Sequence, residues 1–231
     1  MAPVPSRGFL AERPGTLVMP SILSADFTRM GEECLGVIDG GADGLHLDVM
    51  DGHFVPNLTM GPDMCRALRR ALPNVFLDVH LMVSDPGMFF EPFAKAGANH
   101  LTFHAEVAQQ HAALDLASKA RRLGMSAGLA FNPATPISGW EDHLAAFDLI
   151  LQMSVQPGYS GQAFKAEVLP QVADIRRLVG GRSRVQMDGG VSPETAPKCR
   201  AAGCDVIVSA SALFSLAPAA RPACISALRG G

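Results

Sequence analysis

Tryptophan occurs once in these 231 residues, at Trp140, and aromatic residues make up only 6% of the chain. A lone indole offers no platform on which bases could stack. Charge is sparse as well: 18% of residues are charged and the formal net charge is -3. Without a basic surface there is no electrostatic footprint for nucleic acid or an anionic membrane. No apolar run approaches the roughly 18 residues that a membrane span requires. Cys34, Cys65, Cys199, Cys204 and Cys224 are odd in number, scattered, and contain no CxxC. That argues against a disulfide scaffold and predicts reduced thiols in a cytoplasmic protein. Residues 1–15 contain prolines and arginines but no apolar h-region, so a secretory signal is not expected. Residues 1–16 read as a flexible N-terminal extension, and 17–231 as one domain.

What the chain does have is alternation. Across GLHLDVM (44–50), Leu45, Leu47 and Val49 alternate with His46, Asp48 and Met50, the period of a β-strand with different environments on its faces. Leu and Val suit a face covered by helices, while His46 and Asp48 point together off the other. On this stretch alone, a divalent metal and a simple buried His–Asp hydrogen bond explain the pair equally well. Two further strands tip the balance. In VFLDVHLMV (75–83), Phe76, Asp78, His80 and Met82 share one face. In RVQMD (184–188), Val185 and Met187 face outward and Asp188 ends the inner face. His46, Asp48, His80 and Asp188 then make a donor set of two nitrogens and two oxygens at strand C-termini. Its borderline softness suits Zn, Mn, Fe or Co more than Mg or Ca, so one divalent metal ion is the predicted cofactor. His53 and His104 stay outside the set, as a loop histidine and a residue at the barrel mouth. His100, His111 and His143 read as surface or structural.

Apolar, β-rich runs recur at 17–23, 45–50, 75–83, 100–104, 125–131, 149–155, 184–187 and 206–209, with helical segments such as 108–123 and 165–179 between them. Glycines at 40–41, 97, 124, 180–181 and 203 stand where helices end, as C-caps do. Eight strand–helix units without a Pro/Ser-rich linker predict a single α/β domain, closed as a (β/α)8 TIM barrel with its chemistry at the strand C-termini. An open doubly wound sheet would splay the three metal-bearing strand ends apart. The loops at 156–162, 188–193 and 209–211 are rich in glycine and small residues. Glycine lets backbone N–H groups approach an anion. Three such loops at one end of one barrel point to a phosphate site rather than to tight turns alone.

PSILSADF (20–27), HLDVMDGHFVPN (46–57), DVHLMV (78–83), NPATP (132–136), PGYSGQ (157–162) and DGGV (188–191) together resemble the ribulose-phosphate 3-epimerase family, over residues 20–214. The resemblance implies a ribulose-phosphate-binding (β/α)8 barrel, a divalent metal, a phosphorylated ketopentose substrate and a homo-oligomer. The implied reaction interconverts D-ribulose 5-phosphate and D-xylulose 5-phosphate, in the pentose phosphate pathway and the Calvin cycle. His46, Asp48, His80 and Asp188 match the metal ligands, and Asp48 and Asp188 match the two acid/base groups. Ser24 matches a residue touching substrate near the metal, where His80 also faces substrate. Met50, Met82 and Met153 match thioethers packed around the reacting carbons. Gly158, Tyr159, Ser160 and Gly161, with Gly189, Gly190, Ala210 and Ser211, match the phosphate cradle. Three positions depart from the family's pattern. Ala210 stands where Gly usually precedes Ser, Ser160 where a second Gly is common, and Tyr159 where Phe is common. Alanine at 210 matters if that position needs positive φ or touches the phosphate.

Inverting C3 of a ketose phosphate means removing a proton α to a carbonyl and returning one to the opposite face. A Lewis acid at the C2 oxygen stabilises the enediolate, and two carboxylates, one per face, serve as general base and general acid. The nearest rival is an epimerase acting on a hexulose phosphate such as D-allulose 6-phosphate. Lyases of related barrels would want Lys at Met50. A non-catalytic sugar-phosphate binder has no use for two opposed carboxylates.

Overall fold

The computed structural model describes residues 6–231, with side chains from residue 8 onward. Eight strands, β1 (Leu17–Pro20), β2 (Gly44–Met50), β3 (Phe76–Met82), β4 (His100–His104), β5 (Ser126–Phe131), β6 (Leu149–Met153), β7 (Arg184–Asp188) and β8 (Val206–Ser209), follow the predicted order. The helices are α1 (Ser6–Glu12), α2 (Met30–Asp39), α3 (Pro62–Ala71), α4 (Phe90–Ala96), α5 (Gln110–Arg122), α6 (Leu169–Val179), α7 (Ala196–Ala202), α8 (Ser211–Phe214) and α9 (Arg221–Arg229). Every neighbouring pair of strands is parallel, in the order β1-β8-β7-β6-β5-β4-β3-β2. A parallel bridge between Ser21 and His46 joins the two ends of the sheet, so the (β/α)8 barrel is nearly closed. No helix among the described residues is long and apolar enough to cross a membrane.

Outward-facing residues such as Leu47 and Val79 are buried in one core with Cys34 and Val37 of α2, Leu68 of α3 and Phe93 of α4. In α5 the buried face consists of Ala113, Ala117 and Ala120, small residues at helical spacing. Gly97 and Gly203 end α4 and α7 in the left-handed conformation, at φ 94° and 112°, as their positions predict. The crossover from β5 to β6 departs from the expected strand–helix unit. Pro133, Pro136 and Gly139 break it up, and its only helical piece is a 3-10 turn at Leu144–Ala146. Trp140 fills the space, edge-on to Phe131 with ring centroids 5.9 Å apart. All five cysteines are free and buried; burial pushes the thiols of Cys34, Cys65 and Cys199 up to about 12.

Inside the barrel, chemistry is layered. An apolar cluster contains Leu10 of α1 together with Leu17, Met19, Phe76, Leu149, Leu151 and Val206 from the strands. Phe9 stacks on Phe76 with ring centroids 4.2 Å apart. The described part of the expected N-terminal extension is therefore a helix docked into the N-terminal end of the barrel; residues 1–5 lie outside the described residues. Further along the axis the interior turns polar. Asp78 Oδ2 accepts from Gln186 Nε2 at 2.8 Å, and His100 bonds Ser126 and Thr102. Gly128 makes room for that layer, since a Cβ there would come within 2.7 Å of His100 Nε2.

Leu10→Ala should lower the unfolding free energy by about 2–5 kcal/mol, as large-to-small changes at buried sites do. Urea denaturation measures it, and an unchanged midpoint would show that α1 does not plug the barrel.

Candidate active site

The period of two along β2, β3 and β7 turns every second side chain toward the barrel axis. Register then decides which of them meet. Asp48 lies beside His80, His46 beside Asp78, and Met50 beside Met82 across β2 and β3; Asp188 lies beside Met153 across β7 and β6. His46, Asp48, His80 and Asp188 come together: one ligating atom from each lies within 4.8 Å of the others, and all four residues are buried. His80 Nδ1 stands 3.1 Å from Asp48 Oδ1 and 3.9 Å from Asp188 Oδ2, and His46 Nε2 stands 3.3 Å from Asp48 Oδ1.

His46 tests whether a cation fits. Its Nδ1 is 2.8 Å from Asp78 Oδ2, and a carboxylate only accepts, so Nδ1 carries a proton. Its Nε2 is buried without a hydrogen-bond partner. A ring nitrogen and several carboxylate oxygens converging on one sealed point are stabilised by positive charge there, whether a proton or a metal ion. The ionisation behaviour agrees. Burial opposes the charged ring of His46, yet Asp78 and Asp48 outweigh it and raise its pKa well above the ordinary value. At His80 burial wins and lowers the pKa. Burial also works against the Asp48 carboxylate, but the neighbouring histidines hold it below the usual range. Asp188, desolvated and close to the Asp48 charge, is pushed up to about 7. The four side chains thus fit a divalent cation, with nitrogen and oxygen donors of the kind that suit Zn, Mn, Fe or Co.

Ser21 escaped the sequence reading. It follows β1 in the inward register of Leu17 and Met19, and its hydroxyl donates to Asp48 Oδ2 at 2.5 Å. Carrying the period of two past Met19 would have found it. Ser24, expected at this place, sits in the 3-10 turn Ile22–Ser24 and lies outside the cavity lining; its Oγ makes no hydrogen bond. His104 stays outside the group of four but is buried behind it, with Nε2 2.8 Å from His80 Nε2. Burial lowers its pKa to about 4. His53 bonds the backbone oxygen of Asp51 in its own loop.

Beside the cluster lies a cavity of about 300 Å³, lined by Asp48, Asp188, Met50, Met82 and Met153. Gly158, Tyr159, Ser160, Gly161, Gly189, Gly190, Ala210 and Ser211 line the same cavity, so all three glycine-rich loops converge on it. His46 and His80 are buried outside that lining. Two hydrogen bonds tie the loop after β6 to the loop after β2: Asn57 Nδ2 donates to Gly158 O at 2.7 Å, and the Tyr159 hydroxyl donates to Pro56 O at 2.9 Å. Gly190 has φ 60°, and a Cβ on it would come within 2.5 Å of Phe164 N, so no other residue fits there. Ala210 has φ -114°. That lies outside the left-handed region, so its backbone does not require glycine.

The model of the ribulose-phosphate 3 epimerase family matches residues 17–214. The chain is 42% identical over 218 residues to the Bacillus subtilis protein named ribulose-phosphate 3-epimerase, covering 92% of this chain and 98% of the relative. It is 45% identical over 203 residues to the Synechocystis protein of the same name, covering 86% and 87% respectively. Among solved structures, 3-hexulose-6-phosphate synthase from Salmonella typhimurium superposes with a TM-score of 0.71 at 18% identity, covering 92% of this chain and 97% of that one. That likeness concerns the fold alone. The chain belongs to the ribulose-phosphate 3-epimerase family and is an isomerase.

Proposed function

We propose that this isomerase interconverts D-ribulose 5-phosphate and D-xylulose 5-phosphate by two-base proton transfer at C3, with a divalent metal held by His46, Asp48, His80 and Asp188. The observation that carries the reading is a pair of buried carboxyls at one cavity with opposite shifts, Asp48 held low and Asp188 raised to about 7. Two titratable groups pushed apart by their surroundings are the usual sign of an acid–base pair. When bound, the metal supplies Lewis-acid stabilisation of negative charge developing at the C2 oxygen.

The side chains do the rest. Asp48, ionised, takes the C3 proton, and the electron pair of the C–H bond moves into the 2,3-enediolate. Asp188, protonated, returns a proton to C3 from the other face, and the roles exchange in the reverse direction. Ser21, donating to Asp48 Oδ2, leaves the carboxylate one orientation and one less basic oxygen. Met50, Met82 and Met153 give the reacting carbons an aprotic lining that excludes water. The phosphate is placed against the backbone N–H groups of 158–161 and 189–190, with Ala210 and Ser211 beside them. The five buried free thiols support a reducing, cytoplasmic setting.

Purified protein supplied with D-ribulose 5-phosphate or D-allulose 6-phosphate should epimerise the pentulose with the higher kcat/KM; a preference for the hexulose would replace this substrate. Asp188→Asn should lower epimerisation by about a hundredfold to ten-thousandfold, the scale of general acid–base catalysis. In deuterated water only one of the two epimers should then still exchange its C3 hydrogen, and equal exchange of both would remove Asp188 from the pair.

The metal-free protein should lose stability as pH rises above about 7, where His80, His100 and His104, lowered by burial, are neutral in the folded and unfolded states alike. Asp188 and His46 both have folded pKa values above their unfolded ones, so each keeps its proton in the folded state at a pH where the unfolded chain has released it. Its Tm should fall as pH rises above about 7, where Asp188 gives up its proton in the folded state, and Asp188→Asn should flatten the fall. Added Zn2+ should raise Tm most at the alkaline end. A pH-independent Tm without metal would contradict the electrostatic account.

A further inference from the structure

Behind His80 runs a chain of hydrogen bonds, buried at the His80–His104 step and reaching the surface at Glu106, that the reaction itself does not use. His80 Nε2 lies 2.8 Å from His104 Nε2, and His104 Nδ1 lies 3.1 Å from Glu106 Oε2. The other carboxylate oxygen, Glu106 Oε1, accepts from Asn132 N at 2.8 Å and from Thr135 Oγ1 at 2.5 Å. Asn132 and Thr135 belong to the NPATP segment, which supplies no residue to the cavity lining. Phe54 covers the His104 ring, with centroids 4.8 Å apart.

Proton placement along this chain is constrained. Two donors already occupy Glu106 Oε1, and an ionised carboxylate has nothing to donate, so Oε2 accepts the proton on His104 Nδ1. A neutral imidazole protonated at Nδ1 is bare at Nε2. Two nitrogens 2.8 Å apart need one proton between them, and it then belongs to His80 Nε2. His80 is left with a bare Nδ1, the atom 3.1 Å from Asp48 Oδ1 and 3.9 Å from Asp188 Oδ2.

We propose that Glu106 and His104 are positioning residues that lock His80 in the Nε2-protonated form, presenting its Nδ1 lone pair to the point shared by Asp48 and Asp188. The inference rests on the metal reading above and extends it. His46 has a direct carboxylate partner in Asp78; His80 has none on its far side and reaches one through a second imidazole. The NPATP loop thereby gains a part in the site, as the clamp that fixes which oxygen of Glu106 faces His104.

The decisive variant is Glu106→Gln. Asn132 N–H and the Thr135 hydroxyl will hold the amide oxygen at the former Oε1 position, which turns the amide NH2 toward His104 Nδ1. The proton order of the whole chain then reverses, placing the proton of His80 on Nδ1. Nitrogen-15 spectra of the histidine rings, recorded on the metal-free full-length protein, read this directly. Wild type should show His80 protonated at Nε2 and His104 at Nδ1, and Glu106→Gln should show both reversed. Zn2+ affinity, measured by competition with a chelator, should fall by about 10–100-fold in Glu106→Gln, the usual effect of removing a ligand's outer partner. Thr135→Val keeps the carboxylate, and should keep the wild-type ring spectrum and an affinity within about threefold of wild type. A wild-type spectrum with the His80 proton on Nδ1 would overturn the proposal without any variant. So would an unchanged spectrum and Zn2+ affinity in Glu106→Gln. Failure of wild type to bind Zn2+ at all would instead strike the metal reading, since the ring spectra test the chain independently.

Discussion

Two carboxylates, Asp48 and Asp188, lie within 4.8 Å of each other in a buried cluster, and their repulsion is what the C-terminal end of the barrel is arranged around. Left alone, such a buried pair would shed one charge by taking up a proton, as the pKa of Asp188, raised by burial and then by the Asp48 charge, records. Each neighbour opposes that repulsion in some way. His46 and His80 bring nitrogens against Asp48, Ser21 donates to its other oxygen, and Asp78 holds His46 from behind. The same asymmetry that makes the pair costly to bury makes it suited to chemistry, because one carboxyl is ready to accept a proton while the other holds one.

A site of this kind needs a rigid frame. Charged and polar groups in the barrel interior are tolerable only while each keeps a partner, and small displacements would strand them. Rigidity comes from the two apolar layers that flank the polar one. Outside, the helices bury the outward faces of the strands; at the N-terminal end, Leu10 and Phe9 stack against Phe76 and its neighbours. At the open end the loops are tied to each other by Asn57, Tyr159 and the close approach of Gly190 to Phe164. The cavity is therefore bounded by backbone held in place from several directions, which a small anionic substrate requires if its reacting carbon is to sit between two carboxyls.

Much of this is legible in the amino-acid sequence. Strict alternation in β2, β3 and β7 marks inward and outward faces, and the glycines at 97 and 203 mark helix ends. Other features are not. The resemblance assigns the substrate contact to Ser24, in a short motif that also contains Ser21; only the pleat, carried past Met19, separates a residue facing Asp48 from one in the following turn. His104 read as a residue of the barrel mouth, since nothing local reveals that β3 and β4 stack its ring at 5.0 Å from that of His80. The helical character of Ser6–Glu12 was hidden for a related reason. A segment that short has little intrinsic helicity and gains its order from the apolar layer it covers.

By itself, then, the sequence determined the strand faces, the donor atoms available to a metal, and the three loops able to receive an anion, because these follow from residue type and a spacing of two along one strand. Tertiary structure alone decided which donors meet. Register places Asp48 beside His80, closure through Ser21 and His46 brings β1 to the site, and the pairing of β3 with β4 sets His104 behind His80. Those pairings join residues tens of positions apart. Only the folding of a whole ring of strands fixes distances of that kind.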